Sequence, residues 1–306
     1  MFNFNEFATM IANCIIDVLP EDFADANVEI REVTKNNDTK LTGLVVTKKG
    51  SNIAPNVYLE AFYQEYQNGK DYEDVLEHIA EVVVKHSPKE QFDASNLTDL
   101  DKVRNRIIPR LINAKRNEEY LIDKPHRLVE DLAVVYAVNI SEDETGKMSA
   151  PVTYSLIESY GITPEELDNI AMYNLEKVSV SFKSMREMLM ETYKKSYGED
   201  IPEYMLPPEG TVPEMYVLTN VSKLNGATMI LNKGIMDSVL DRAGRDVIII
   251  PSSIHEVIIV PIPEESIDAS EYAKMIQDVN KSQLSPNEIL SDHAYLYTRK
   301  DGLMSI

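Results

Sequence analysis

The 306-residue chain carries 51 acidic against 30 basic side chains, a formal net charge of −21, with 43% hydrophobic and 26% charged residues. This composition excludes a disordered or fibrous chain, and a chain of this length can bury roughly 75% of its unfolded surface. The acidity speaks against a nucleic-acid binder, whose affinity comes from Lys and Arg neutralising phosphates; the single cysteine, Cys14, excludes an intrachain disulfide and suits a reducing compartment.

In the first segment Phe4, Phe7, Ile11, Cys14, Ile15 and Val18 recur at helical spacing until Pro20. Cys14 lies on that stripe as a small buried hydrophobe. The segment has no Lys or Arg, unlike a secretory leader. No run in the chain approaches the ~20 apolar residues of a membrane span, so the expected location is the cytoplasm. Val28 to Val33 and Leu41 to Val46, around the polar Asn36-Asn37-Asp38, predict a β-hairpin. Tyr58, Leu59, Phe62, Tyr63 and Tyr66 predict a helix closed by Gly69, and Tyr72 to Val83 a second one, which His86 ends.

Between Lys102 and Arg127 lies the one basic stretch: Lys102, Arg104, Arg106, Arg110, Lys115, Arg116, Lys124 and Arg127. Arg104, Arg106 and Arg110 share parity, so one extended strand would set them on a single face. That face is either solvated and paired with the chain's own acids or a patch for an anion or an acidic partner. Two strands around a polar turn follow from Leu128 onward, then a helix opened by Thr163, Pro164 and Glu166 as a capping box. The proline-rich stretch 198–214 is the linker candidate. Beyond it, apolar runs around Leu224-Asn225-Gly226 predict a third hairpin, since Asn-Gly is a hairpin-turn signal, and Gly244 closes the helix after it. "DVIIIPSSIHEVIIVP" gives two continuous apolar strands suited to burial on both faces. Asp268 with Glu271 opens another helix, Ser285, Pro286 and Glu288 a short one, and "HAYLYT" is the last strand. The whole predicts an α+β fold: a mixed, largely antiparallel sheet built from hairpin-plus-helix units with helices packed on it. Residues 1–306 are expected to form a single globular unit, with any lobe boundary in 198–214.

The chemistry is constrained mainly by exclusion. The 11 glycines form no GxGxxG or GxxxxGK[ST] loop, and GxSxG, SxxK and HExxH are missing. The five histidines (His78, His86, His126, His255 and His293) are scattered, and one cysteine cannot make a thiolate zinc site. No metal and no cofactor are expected. In "PSSIHE", Pro251 ends a strand because it cannot donate to the ladder, and Ser252 and Ser253 suit a turn through hydroxyl-to-backbone bonds. In regular strand His255 and Glu256 would face apart. A catalytic role for Ser252, Ser253, His255 or Glu256 would need His126 or His293, with Asp131 or Asp292, brought close by the fold. Asn225, Gly226 and Pro251 read as turn residues.

Three stretches, "NAKRNEEYLIDKPHRLVEDLAVVYAV", "VSKLNGATMILNKGIMDSVLDRAGRDVIIIPSSIHEVIIVP" and "IQDVNKSQLSPNEILSDHAYLY", resemble a bacterial family known only as a domain of unknown function. The likeness extends to "PNVYLEAFYQEYQNGK", and Asn225-Gly226 and a PSSxHE signature at Pro251 to Glu256 carry it best. In element order the chain is also similar to a second uncharacterised cytosolic family, through the strand "IIPRLI". Neither resemblance implies a reaction, cofactor or ligand. The function expected from the residues is a cytosolic, non-catalytic protein-interaction or regulatory module, its partner another protein. The alternatives are a hydrolase or metal-dependent enzyme using His255 with Ser252 or Ser253, or a His/carboxylate cluster. An acidic nucleic-acid mimic remains a third, although groups such as Glu21-Asp22 are short and dispersed.

Overall fold

Capping and apolar spacing set the first layer, as seen in a computed structural model that describes residues 2–51, 54–87, 94–143, 146–206, 214–262 and 268–306. Helix α1 (Phe4–Val18) starts at Asn3, whose side chain accepts the Glu6 N–H at 3.0 Å while Glu6 accepts the Asn3 N–H at 2.9 Å. Strands β1 (Asn27–Thr34), β2 (Lys40–Thr47) and β3 (Asn56–Tyr58) form one antiparallel sheet, and α2 (Leu59–Gln67) and α3 (Tyr72–His86) follow. Phe7, Ile11 and Ile15 meet Leu44 and Val46 of β2 and Val75, Ile79 and Val83 of α3 in one core. Cys14 is half-buried against it, as its stripe position predicts. Tyr58, read as the first residue of the helical stripe, instead ends an edge strand, Asn56 to Tyr58, that pairs with β2.

The second layer runs through α4 (Leu100–Val103), β4 (Ile107–Asn113), α5 (Glu118–Leu121), β5 (Arg127–Val129), β6 (Leu132–Asp143) and β7 (Gly146–Pro151). The long β6 pairs with β4 and with both β5 and β7, all antiparallel. Helices α6 (Tyr154–Tyr160) and α7 (Pro164–Leu175) come next, and α7 opens on the predicted Thr163/Glu166 capping box with Pro164 in its first turn.

The third layer contains β8 (Val180–Ser184), α8 (Met185–Tyr197), β9 (Tyr216–Asn220), α9 (Lys233–Ala243), β10 (Val247–Pro251), β11 (Val257–Pro261), α10 (Ala269–Gln283), β12 (Tyr295–Thr298) and β13 (Gly302–Ser305). Its strand order is β13-β12-β10-β11-β9-β8. Val247 and Ile249 of β10 face one core, together with Ile107, Leu111, Val134 and Tyr136 of the second layer. Ile248 and Ile250 face another, with Ile276 of α10. Burial on both faces, predicted from the unbroken apolar runs, is what the central strands show.

The fold is α+β with antiparallel pairing throughout the described strands, but the strands divide into three sheets rather than one. Two further readings are corrected. Residues Gly226–Leu231 form a 3-10 helix, not the second strand of a hairpin. A two-residue Asn-Gly hairpin turn needs positive φ at both positions; Asn225 has φ 54°, Gly226 does not, and the Asn220 amide closes the preceding loop on Leu224. With that hairpin gone, the strand-turn-strand-helix unit does not recur a third time. Arg104 and Arg106 lie in a 3-10 turn ahead of β4, so they share no strand face with Arg110. The stretch 198–214, of which 207–213 fall outside the described residues, leads from α8 to β9. Among the described residues no helix is long and apolar enough to cross a membrane.

Candidate functional site

The "PSSIHE" stretch is a closed turn between β10 and β11. Pro251 is the last residue of β10, in register with Val257. The Ser253 hydroxyl accepts the His255 N–H at 3.0 Å, and the Ser253 N–H donates to the Glu256 carbonyl at 3.1 Å. Ser253 is buried; Ser252 and Glu256 are half-buried. His255 and Glu256 lie in this turn rather than in regular strand, so the strand-based facing argument does not apply to them. His255 Nδ1 accepts the Asn225 N–H at 3.1 Å, which leaves its proton on Nε2, 3.7 Å from Glu288 Oε1. The Thr219 hydroxyl donates to the His255 carbonyl at 2.7 Å. Asn225 precedes the 3-10 helix that Gly226 begins, and Pro251 closes β10. The lone pair with which His255 could act as a base toward Ser253 is occupied by the main chain.

A second polar cluster forms where residues 286–293 pass between the layers. Asp131 occupies the two-residue turn between β5 and β6, beside Glu130 at φ 54°. Its carboxylate accepts from the Asn113 amide at 3.1 Å, the Ser291 hydroxyl at 3.1 Å and the Tyr295 hydroxyl at 2.5 Å, and lies 3.3 Å from His293 Nε2. The other ring nitrogen, Nδ1, faces the Ala294 carbonyl at 3.0 Å. An acceptor on each side favours the doubly protonated ring. The bond to Asp131 raises the His293 pKa above its usual value, against a smaller lowering by burial. Burial alone would raise the Asp131 carboxyl, but hydrogen bonds from His293, Tyr295 and Ser291 outweigh it and hold it below the usual carboxylate range. Adjacent Asp292 faces elsewhere, bonded to Arg116 at 2.5 Å and to the Asn280 amide at 2.9 Å.

The same segment receives the tip of the β1–β2 hairpin. Asn37 (φ 60°) and Asp38 (φ 47°) adopt left-handed backbone, which Asn and Asp tolerate because their short side chains bond locally. The Asn36 amide donates to the Asn287 carbonyl at 2.8 Å, and the Asn37 amide to the carbonyls of Pro286 at 2.7 Å and Ile289 at 2.8 Å. Asp38 accepts the N–H groups of Glu119 and Tyr120. Asn117, fully buried, donates to the side chains of Asn36 and Asn37 and to the Asn113 carbonyl, and accepts the Asn37 N–H. Replacing it by alanine strands several buried polar groups. Asn117→Ala should cost about 2 kcal/mol, read by urea denaturation, and speed hydrogen exchange at the Glu119 and Tyr120 amides.

Of the histidines singled out, only His293 meets a carboxylate proposed for it, Asp131. His126 is exposed, its Nδ1 2.8 Å from the Lys124 carbonyl, at a shallow depression of about 560 Å³ that Leu128, Ile122 and Tyr154 also line. Arg104 is exposed beside a cavity of about 320 Å³ with Asn105, Asn169, Tyr173 and Asn174. Arg106 bonds the carbonyls of Ile140 and Lys102. Among the described residues no group of three or more His, Cys, Asp or Glu is placed to hold a metal ion. The sequence reading missed Asn113, Asn117, Asn280 and Ser291, which are buried; Asn113, Asn117 and Ser291 bond across layers and Asn280 holds the 291–292 segment to α10. Asn36-Asn37-Asp38 was their one visible sign, as a turn without a docking partner. No curated protein and no solved structure matches the chain. A family model does, from residue 4 to residue 299, a span that includes Asn36, Asn117, Asp131, His255 and His293; the chain belongs to DUF5688, a family of unknown function.

Proposed function

We propose that this chain works by binding another protein, as a non-catalytic interaction or regulatory module in a reducing compartment. The observation that supports this reading is how the reactive groups are engaged. The Ser253 hydroxyl, His255 Nδ1 and both nitrogens of His293 are bonded to main chain or to Asp131. General-base or nucleophilic chemistry at these residues would first have to break bonds that hold the turns together.

Helix α8 supports the interaction half of the reading. It has 13 residues and buries none of them. Met185, Leu189, Tyr193 and Tyr197 follow at four-residue spacing, a helical apolar stripe, and Met185, Leu189 and Tyr197 are exposed. Tyr204 and Met205 are exposed nearby in sequence. An uncovered apolar stripe of this kind marks an interaction surface on a water-soluble fold. The test is recovery of proteins with the tagged full chain from cells that produce it, comparing wild type with Leu189→Glu/Met190→Glu. A specific protein lost in the variant, whose own melting temperature is unchanged, is expected. The reading fails if wild type and variant recover the same proteins. It also fails if the wild-type chain hydrolyses ester or phosphoester probes and Ser253→Ala or His293→Ala abolishes that turnover.

A further inference from the structure

We propose that Arg110 anchors a carboxylate-binding site on the outer face of the β4–β6–β7 sheet. Strand alternation sends Ile107 and Leu111 into the main core and Arg110 and Ile112 to the opposite face. Arg110 stands opposite Val135 of β6, and its Nη2 donates to the Ser149 hydroxyl of β7. Among the described residues its Nε–H is sealed from solvent with no acceptor. On the same face Asn139, the register partner of Ser149, has a sealed side-chain oxygen with no donor among them. This sheet thus carries two unsatisfied buried polar atoms on one side, where buried polar groups are ordinarily paired.

The missing counter-charge is the main clue. Arg116 pairs with Asp292, Arg127 with Asp168, Arg242 with Glu187, and Arg299 with Asp237 and Asp241, while Arg106 and Arg245 reach carbonyl oxygens and Arg104 is exposed. No described Asp or Glu forms an ion pair with Arg110, in a chain with 51 acidic residues. A guanidinium does not lose its proton to escape desolvation, and Arg110, half-buried with its Nε sealed, bears part of the cost of an unpaired buried charge. A neutral side chain of similar length would fill the space without that cost, so the charge at this position opposes stability. The face is also thinly covered. Its small apolar cluster of Ile112, Leu121, Ala133 and Val135 is overlaid by Tyr120 and Leu121 of the short α5.

A carboxylate supplies the acceptor and the negative charge that Arg110 lacks. The planar guanidinium fork matches its two oxygens. Because Ser149 Oγ accepts from Arg110, the Ser149 O–H is left to donate beside it. A single guanidinium balances one negative charge, whereas a phosphate dianion would require a second cation. This site lies apart from α8 and does not depend on the reading of that helix.

The test is titration of the full ¹⁵N-labelled chain, following the Arg110 Nε–H resonance. Acetate is compared with chloride at equal ionic strength, then with inorganic phosphate and a capped glutamate-containing peptide. A saturable shift with acetate but not with chloride is expected. It should vanish in Arg110→Met, read on the Val135 and Ser149 amides, and that variant should melt at or above the wild-type temperature. A peptide that binds more than about tenfold tighter than acetate identifies a protein side chain as the source; equal affinity identifies a small carboxylate. The proposal is overturned if acetate acts only as chloride does or if phosphate binds more tightly than acetate. It is equally overturned if Arg110→Met melts more than about 5 °C lower, which would make the guanidinium a structural support.

Discussion

Gly226→Ala should destabilise the protein by at least about 3 kcal/mol, the larger end of what overpacking costs. A β-carbon at this position would lie 2.1 Å from Thr219 Oγ1, 2.5 Å from the His255 carbonyl oxygen and 2.7 Å from the Asn220 nitrogen. Two of these atoms are backbone. One belongs to β9 and the other to the turn between β10 and β11, so neither can yield without disturbing the pairing of β9 with β11. The cause is close approach and not backbone conformation, because the left-handed residue is Asn225. Gly234→Ala is the control. Its nearest contact, Asn232 Oδ1 at 3.5 Å, is ordinary, and the site lies inside α9, where alanine is preferred by about 0.5–1 kcal/mol. Urea denaturation should show the two variants moving in opposite directions. A loss below about 1 kcal/mol for Gly226→Ala would show that β9 and the turn can move apart freely.

The second large effect is expected at Asp131. Asp131→Asn keeps the shape but removes the charge, leaving the His293 imidazolium without its partner and Tyr295 with a weaker acceptor. Breaking a partly buried pair in this way costs about 3 kcal/mol. The change should also reshape stability as a function of pH. His293 has its pKa raised from 6.5 in the folded chain, so its contribution is complete below that value and is lost as pH rises through the higher folded value. The Asp131 pKa is lowered from 3.8, so its contribution is complete above that value and fades as pH falls through the lower folded one. The pair therefore contributes most between 3.8 and 6.5. The stability difference between wild type and Asp131→Asn should be largest in that window and shrink on either side. Asp292 is held low mainly by Arg116 and Asn280 against its own burial, with a smaller contribution from His293, so most of its acid-side contribution is common to both proteins. A difference that did not vary with pH would show that His293 and Asp131 are not coupled.

Both predictions concern contacts that join segments distant in sequence, which is where the residues alone revealed least. Asp131 and His293 could be named as candidate partners because both are titratable. Their meeting depends on a two-residue turn from the second layer facing the segment that leads into β12. Ser253 was legible as a turn residue because hydroxyl bonding to nearby backbone is local chemistry. Gly226 was visible as half of an Asn-Gly pair and was assigned the wrong turn, since the structure it permits is a close approach between β9, a 3-10 helix and a loop.

The chain's own residues determined what depends on neighbours a few positions away. They set the caps at Asn3, Thr163 and Asp268, the apolar stripes of α1 and α3, the end of β10 at Pro251 and the two-sided burial of β10 and β11. Propensity, period and capping act over one or two turns and are written in consecutive residues. The tertiary structure alone decided that the strands form three sheets and that the Asn36–Asp38 tip docks on residues 286–289. It also decided that Asn117 and Asn280 are buried and that Arg110 faces away from the core without a carboxylate. Those outcomes depend on which surfaces meet after the chain has folded back on itself, and no local pattern in one sequence records them.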